Sequence, residues 1–579
     1  MIVIKKSKSL KRINTTQLIY SLLIIILINI IGSYLYTRFD LTAEKKYSLS
    51  PVTKKLLKQL DDIVYVKVYL EGDFPSGFKR LRNSTKEMLD EFRAYNQNIQ
   101  YEFVNPSAIT DKKTRNELYK QLVEKGIQPT NLQVKENGST KEQIIFPGAE
   151  VSYKSHSIPL QLLMDQMGIE SENVINNSIQ ALEYNISNVI RKLNVRTKPK
   201  IAIIEGHGEL NRFEMFDITN ALSEYYQVER VWINEQVSKL TERIVSDSAA
   251  TKIQNKYKAI IIAKPDSAFS EKDKFIIDQY IMYGGKVLWM VEPVFASMDS
   301  LNNTAQTVGI TNEINLNDQL FRYGVRLNTN LIMDIAALPI PIITGRVGNQ
   351  PKTSFLPWYY FPILTPVEKH PIVKNLNAIK SEFISSIDTI DNGIKKTVLL
   401  TSSQYSRLVN TPVIIDLEIL KTEPEQRLFN KPFQTVAVLL EGEFQSNYAN
   451  RLSTEISKSE EIGFISKSKP TSMIVVSDGD IIKNQFHYSK GNPLPLGYDQ
   501  YTGQVFGNKE FILNCINYLC DDSGLITVRS RELKLRMLDK TKIEKSKVKW
   551  QVINVVLPVL VIILFALVLS FLRKRRYTK

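Results

Sequence analysis

The chain has 579 residues, 43% of them hydrophobic and 23% charged, so it can bury sizeable apolar cores and is not a disordered polypeptide. Its formal net charge of +15 would suit a nucleic-acid-binding protein, but much of the basic excess flanks two long apolar segments. This placement indicates a membrane and argues against a nucleic-acid partner. Two cysteines are too few for a disulfide framework.

The first apolar segment, residues 17–36, contains no charged residue and follows a tail, residues 1–16, with five lysines and arginines. It is longer than a secretory signal core, and Ile31-Gly32-Ser33-Tyr34 is a poor cleavage site. We therefore predict an uncleaved transmembrane helix, with a cleaved signal peptide as the alternative.

An N-terminal α/β domain is predicted over residues 47–196. Its elements alternate between strand and helix, and then form a hairpin and a last helix, which is a thioredoxin-like order without the Cys-x-x-Cys of a redox enzyme. The predicted elements are a helix starting at Pro51, strand 63–70, helix 78–95, strand 99–104, helix 114–124, a hairpin of 132–135 with 143–153, and helix 174–193.

A second α/β domain is predicted over residues 198–525. Strands that alternate with helices, several of them uniformly apolar, predict a doubly wound parallel sheet. Its first elements are strand 200–204, helix 212–226, and strands 228–233, 257–263 and 286–291, with helix 270–283 between the last two. A proline- and aromatic-rich stretch, 339–371, is predicted to be a long ordered loop. Strands at 382–387, 396–401, 435–441 and 472–477 and a helix at 509–519 follow.

The second apolar segment, residues 551–572, follows a basic juxtamembrane linker at 526–550 and precedes a basic tail at 573–579. About 20 apolar residues suffice for a helix to cross a bilayer, so this segment predicts a second transmembrane helix. Because the two short tails are basic, both termini are predicted to be cytoplasmic and the main domains to lie outside, in the periplasm of a bacterium.

Apart from the glutamine at the first position of each predicted span, the strongly hydrogen-bonding side chain inside the first span is Asn29 and that inside the second is Asn554. Polar contacts help membrane helices to associate, so these asparagines are candidate packing positions against each other or against a partner. The alternative is that each asparagine lies near a membrane edge and reaches water.

The turn after the first strand of the second domain is the candidate ligand or partner loop; it consists of Glu205, Gly206, His207, Gly208 and Glu209. Ligands of open α/β sheets bind at the carboxyl ends of the strands, and a histidine beside carboxylates suits a general base or a metal site. Its spacing matches no metal motif, so a structural turn is the competing interpretation.

Other motifs point away from an enzyme. Asp478-Gly479-Asp480 has the form of a turn and lacks the later glutamate of a calcium loop. Gly-x-Ser-x-Gly and the phosphate-binding Gly-x-x-x-x-Gly-Lys-Ser/Thr are absent. We therefore predict no catalytic residue, no cofactor and no metal ligand. The two cysteines, Cys515 and Cys520, are predicted to be buried thiols in one helix.

Several segments together resemble the GldG family, the gliding-motility-associated ABC-transporter subunits of Bacteroidetes. They are residues 47–81, IAIIEGHGEL at 201–210, residues 257–293, LLEGEFQSNYANR at 439–451, and residues 508–539. The resemblance implies a substrate-binding-type auxiliary subunit of an inner-membrane transporter, which works with a separate permease and a separate ATPase. It also implies a fold related to class I glutamine amidotransferases from residue 200 onward, without their catalytic cysteine.

The sequence thus favours a non-enzymatic, doubly anchored transporter subunit of unknown substrate. Two alternatives stay open at this point: an envelope hydrolase that uses the Glu205–Glu209 turn, and a scaffold that binds other envelope proteins.

Overall fold

A computed structural model describes residues 3–34, 48–136, 139–164, 170–195, 197–245, 251–347, 350–367, 370–460, 462–487, 489–530 and 540–577. The chain divides into two compact units, Met1–Arg531 and Glu532–Lys579. The mixed α/β class predicted from the sequence is confirmed. The two-domain division within the first unit and the two-span arrangement remain predictions.

The N-terminal part forms a four-stranded sheet backed by helices. Its elements are α1 (Val3–Tyr34), α2 (Pro51–Lys58), β1 (Val64–Val68), α3 (Ser76–Tyr95), β2 (Ile99–Phe103), α4 (Lys112–Glu124), β3 (Thr130–Glu136), β4 (Ser139–Ile145), β5 (Gly148–Tyr153), β6 (His156–Gln161) and α5 (Ser171–Asn194). The strand order is β2-β1-β5-β6, with β1 and β2 parallel and the other neighbours antiparallel. The side chain of Ser50 caps α2 by accepting from the Thr53 amide, as the Ser-Pro pair predicts.

The predicted hairpin of residues 132–135 with 143–153 is confirmed only in part, with Leu132 opposite Gln143. β3 pairs with β4, while residues 148–153 form a separate strand, β5, that joins the main sheet and pairs with β6. Pro147 lies between β4 and β5 and has no amide hydrogen for a ladder, so the stretch 143–153 is split into two strands.

The second part begins with alternating strands and helices: β7 (Lys200–Glu205), α6 (Phe216–Ser223), β8 (Gln227–Trp232), β9 (Thr241–Val245), β10 (Thr251–Asn255), β11 (Ala259–Ala263), α7 (Glu271–Met282), β12 (Val287–Met290), β13 (Val294–Phe295), α8 (Met298–Asn303), β14 (Gln306–Thr311), α9 (Asn317–Tyr323), β15 (Val325–Leu327) and β16 (Asn330–Asp334). The remaining elements are β17 (Ala337–Val347), β18 (Gln350–Pro366), β19 (Ile379–Lys380), β20 (Ile387–Thr389), β21 (Lys395–Thr401), β22 (Ser406–Asn410), β23 (Val413–Asp416), β24 (Thr435–Gly442), α10 (Thr454–Lys458), β25 (Thr471–Val476), β26 (Tyr498–Asp499), β27 (Gln504–Val505), α11 (Asn508–Cys520) and α12 (Lys540–Tyr577).

The main sheet of this part has the order β17-β18-β21-β24-β25-β12-β11-β7-β8. The five strands β25, β12, β11, β7 and β8 are parallel, and the remaining ones are antiparallel, so the sheet is mixed. Each face of the parallel strands buries its own apolar core, one shared with α6 and α11 and the other with α7 and α9. Burial on both faces explains why β11 and β12 carry only apolar side chains.

The prediction of a long loop at 339–371 is wrong, because most of it forms the paired strands β17 and β18. Proline is tolerated here since β17 is an edge strand and, within the described ranges, β18 forms ladder pairs with strands other than β17 only at residues 363–366. The aromatic run from Trp358 to Phe361 is buried in a third core.

Two further elements differ from the predictions. The helix predicted at 212–226 is only α6, because the Asn211 side chain accepts from the amides of Phe213 and Glu214 and holds a turn there. No strand forms at 382–386, since amides of this segment donate elsewhere, for example the Glu382 amide to Asp478. Both cysteines are buried and free in α11, as predicted.

The second unit contains α12, whose stretch Ser546–Arg575 is long and apolar enough to cross a membrane. The most apolar 18 residues of this stretch have a mean hydropathy of 3.2. Part of the predicted linker, from residue 540 onward, is therefore helical, while residues 531–539 lie outside the described residues. In α1 the apolar stretch is shorter, Thr15–Ile30, and the end of the predicted first span at 35–36 lies outside the described residues.

Candidate functional site

The candidate loop lies where the parallel sheet changes its direction of winding. Along the sheet the parallel strands run β8, β7, β11, β12, β25, so the chain adds β8 on one side of β7 and every later strand on the other. In open α/β sheets, ligands bind at the carboxyl ends of the strands beside such a switch point. Residues 205–209 begin at the last residue of β7, and residues 264–266 follow β11, which places both segments there.

Two glycines shape the predicted loop. Gly206 has a φ of +119° and Gly208 a φ of +73°, in the region that favours glycine. A Cβ atom at residue 206 would lie 2.5 Å from Nε1 of Trp232. The loop is joined to the segment after β11, because the His207 carbonyl accepts from the amides of Asp266, at 3.0 Å, and Ser267, at 3.1 Å.

His207 is buried between two carboxylates. Its Nδ1 lies 3.2 Å from Oε1 of Glu209, and its Nε2 lies 3.1 Å from Oδ2 of Asp273 in α7. The ring also stacks on Phe269, with 3.6 Å between centroids. Both ring nitrogens are therefore engaged by protein groups, which is the geometry of a structural connector between β7 and α7.

The charge state of His207 follows from these partners. Burial by itself lowers the pKa of the imidazole, but the hydrogen bonds and charges of Glu209 and Asp273 raise it above its ordinary value. Glu209 also accepts from the His207 amide, at 2.7 Å. The remaining carboxylate of the predicted loop, Glu205, pairs with Arg230 of β8.

A second cluster of charged side chains lies at the same edge of the sheet, and the sequence interpretation missed it as a cluster. Lys264 follows β11, Glu292 comes shortly after β12, and Asp478 and Asp480 follow β25. The Lys264 ammonium lies 3.1 Å from Oε1 of Glu292 and contacts Asp480. The available signal was a charged residue one to four positions after the end of each of three strands that end in apolar residues.

Burial controls the ionisation of this cluster. Burial and the charge of Asp480 raise the pKa of Glu292 to about 8. Burial and the charges of Asp480 and Glu292 also raise the pKa of Asp478 well above its ordinary value. Burial opposes ionisation of Asp480 too, but the positive charge of Lys264 outweighs it and lowers that pKa. At neutral pH the cluster thus contains an ion pair of Lys264 with Asp480, and the Glu292 carboxyl group beside it retains its proton because its pKa is about 8.

Oxygen atoms of Glu292, Asp478 and Asp480 lie within 4.8 Å of one another, a spacing that suits a hard divalent cation. Lys264 already brings a positive charge to two of these three groups. The Asp478-Gly479-Asp480 segment is a turn, as predicted, and the Asp478 carboxylate accepts from the Asp480 amide at 2.7 Å. This arrangement is a buried salt-bridge network that joins three strands.

The two asparagines predicted as packing positions lie on exposed faces of their helices. The amide of Asn29 donates to the carbonyl of Ile25 in its own helix, at 3.0 Å. Such a bond leaves acceptor capacity on the Asn29 side chain for a neighbouring helix. Packing through Asn29 and Asn554 remains a prediction.

Replacing Gly206 with alanine is expected to destabilise the protein by about 1–3 kcal/mol, because an L-residue at this φ is strained and its Cβ would collide with the Trp232 indole. The measurement is the apparent melting temperature of the purified full chain. Gly345→Ala is the matched control, since a Cβ there meets nothing within 4 Å. Equal melting temperatures for the two variants would contradict the expected strain.

Comparisons with known proteins extend these observations. The model of the family described as ABC-type uncharacterized transport system matches residues 198–515, and a domain of unknown function (DUF7088) matches residues 43–152. An uncharacterized protein of Borreliella burgdorferi is 22% identical over 550 residues, which cover 93% of this chain and 94% of that protein. A solved structure, the mmIFT52 N-terminal domain, aligns with a TM-score of 0.30 and 12% identity over 55% of this chain and 96% of its own.

Proposed function

Because the chain belongs to the ABC-type uncharacterized transport system family, whose model matches more than half of it, we propose that it is a membrane-anchored auxiliary subunit of an ABC transporter. The family match carries this proposal. The subunit acts with a separate permease and a separate ATPase, since the chain has no phosphate-binding loop of its own. Gliding motility or a related envelope transport process is the proposed setting, on the resemblance of the segments quoted above.

The proposed location is the inner membrane, with both termini in the cytoplasm and the main α/β part in the periplasm. The apolar helix at Ser546–Arg575 supports an anchor at the C-terminal end, and the shorter apolar stretch Thr15–Ile30 supports a second anchor. The basic residues of the two tails support the orientation.

We propose a non-enzymatic role for the switch-point loop, residues 205–209. Hydrolysis would require a nitrogen of His207 that can reach a substrate or a water molecule. Both nitrogens instead contact Glu209 and Asp273, and the ring is buried. This geometry supports a structural loop over the hydrolase alternative.

The test is affinity purification of the tagged full chain from its own membranes in mild detergent, followed by mass spectrometry. A polytopic permease and an ATPase with a phosphate-binding loop are expected to co-purify in amounts comparable to the chain. The double variant Asn29→Leu, Asn554→Leu is expected to recover less permease, because each lost polar contact between membrane helices weakens association by about 0.6–2 kcal/mol.

His156→Ala, at an exposed position of β6, is the matched control and should recover the same partners as the natural chain. Absence of both transporter components from the natural-chain sample would overturn the proposed function. Equal recovery with the double asparagine variant would leave the transporter role intact and would show that the two helices are plain anchors.

A further inference from the structure

An open cleft of about 660 Å³ lies away from the loops of the parallel sheet. Its walls come from α9, from β15 and the segment after β20, and from the segment after β24. None of its lining residues belongs to the Glu205–Glu209 loop or to the Lys264 cluster. Its volume is in the range of small-molecule sites in proteins.

Three arginines line this cleft, Arg322, Arg326 and Arg451, against a single carboxylate, Asp318. The charge of Asp318 is already engaged, because one oxygen accepts from the buried Lys274 ammonium at 2.8 Å and the other accepts from the Asn447 amide at 2.8 Å. The lining therefore carries an excess of positive charge that faces the cleft.

The arginines are only weakly committed to protein partners. The closest approach of Arg451 to Asp318 is 3.8 Å, and the Arg451 side chain is 62% exposed. Arg326 pairs with Asp388 on an exposed surface, where both side chains are about half accessible. Among the described residues, Arg322 makes no ion pair. Exposed pairs of this kind contribute little to stability, so an incoming anion can compete for these guanidinium groups.

The cleft also has an apolar part. Phe321 is a neighbour of Arg322 on α9 and is 50% exposed, and Leu327 and Ile390 belong to the same lining. An exposed phenylalanine beside the Arg322 guanidinium offers an aromatic face next to a strong donor for an oxyanion. A simple inorganic anion would contact the arginines but would leave the apolar part of the cleft without a partner.

We propose that this cleft binds a small amphipathic anion, in which a carboxylate or phosphate group is joined to an apolar group. The oxyanion lies between Arg322 and Arg451, and each guanidinium donates paired hydrogen bonds to it. The apolar group packs on Phe321. This ligand site goes beyond the transporter role and does not depend on it.

The experiment uses the full chain in lipid nanodiscs and ligand-observed proton NMR, with empty nanodiscs as the background. The probes are phenylacetate, phenyl phosphate, and the neutral phenylacetamide. Probes of about ten non-hydrogen atoms are expected to bind in the millimolar range. Both anions are expected to bind, and the stronger of the two identifies the preferred oxyanion, whereas phenylacetamide should bind at least about tenfold more weakly.

Arg322→Met and Phe321→Ala are each expected to weaken anion binding about tenfold, because they remove the charge and the apolar surface separately. Arg427→Met is the matched control, since Arg427 is an exposed arginine paired with Glu425 outside the cleft, and it should bind like the natural chain. Unchanged melting temperatures would show that all three variants fold. The proposal is overturned if neither anion binds, if phenylacetamide binds as well as the anions, or if Arg322→Met binds them as well as Arg427→Met does.

Discussion

Replacement of Lys264 with methionine is expected to destabilise the protein by about 2–4 kcal/mol, below the loss for a fully buried ion pair because the Lys264 side chain is 23% exposed. The methionine preserves much of the apolar stem but removes the only ammonium group that contacts both Glu292 and Asp480 in the described structure. Asp480 would then keep a charge without its main partner or take up a proton.

The pH dependence of this loss has a definite sign. The pKa of Glu292 is raised from 4.5 to about 8, so the folded chain binds a proton between these values that the unfolded chain does not. The contribution of this bound proton to the free energy of unfolding is complete below pH 4.5 and is lost as the pH rises through about 8. Without Lys264 the carboxyl groups hold protons even more strongly, so the variant should lose less stability at the acid end of this window than at the alkaline end.

The measurement is the apparent melting temperature of the natural chain and the variant across that window. Lys272→Met is the matched control, because Lys272 is 74% exposed and pairs with Glu235 at the surface, and little change is expected. A Lys264→Met variant as stable as Lys272→Met at every pH would show that the cluster does not stabilise the junction of β11, β12 and β25.

Replacement of His207 with leucine is expected to destabilise the protein by about 2–3 kcal/mol, because two buried carboxylate partners, Glu209 and Asp273, lose a hydrogen bond each. The pKa of His207 is raised above 6.5, so its contribution to stability is complete below 6.5 and is lost as the pH rises through the folded-state value. The difference between the natural chain and the variant should therefore shrink at alkaline pH.

Melting temperature and co-purification with the transporter components are measured together for this variant. The control is His156→Leu, at an exposed site where no comparable loss is expected. If His207 has a structural role, the amount of transporter components that co-purify with the variant should fall only in proportion to its folded fraction. Loss of transport in a variant of unchanged melting temperature would instead indicate a chemical role for His207 and would favour the hydrolase alternative.

Local patterns in the sequence were sufficient to predict many of the helices and strands. The strands β11 and β12 are uniformly apolar because both of their faces are buried, and this property is visible in a few consecutive residues. The starts of α2 and α7 could also be located, since Ser50 and Ser270 cap them through contacts three residues away. The apolar run of α12 likewise needs no tertiary information.

Strand pairing could not be derived in the same way. Residues 339–371 contain prolines that favour a loop locally, yet their position at an edge of the sheet allows two long strands. Pro147 separates β4 from β5, and β5 is the strand that joins the N-terminal sheet. This became evident only from the pairing of β5 with β1 in the structure. Edge and centre positions are properties of the assembled sheet, not of a segment.

The switch-point loop shows the same division between sequence and structure. Its position after β7 and its glycines were evident from the residues 205–209 themselves. The role of His207 was decided by Asp273, which is 66 positions away, and that of Lys264 by Asp480, which is 216 positions away. Because burial and distant charges set the ionisation of these side chains, the sequence determined where the polar groups lie along the chain, and only the tertiary structure decided which of them neutralise each other.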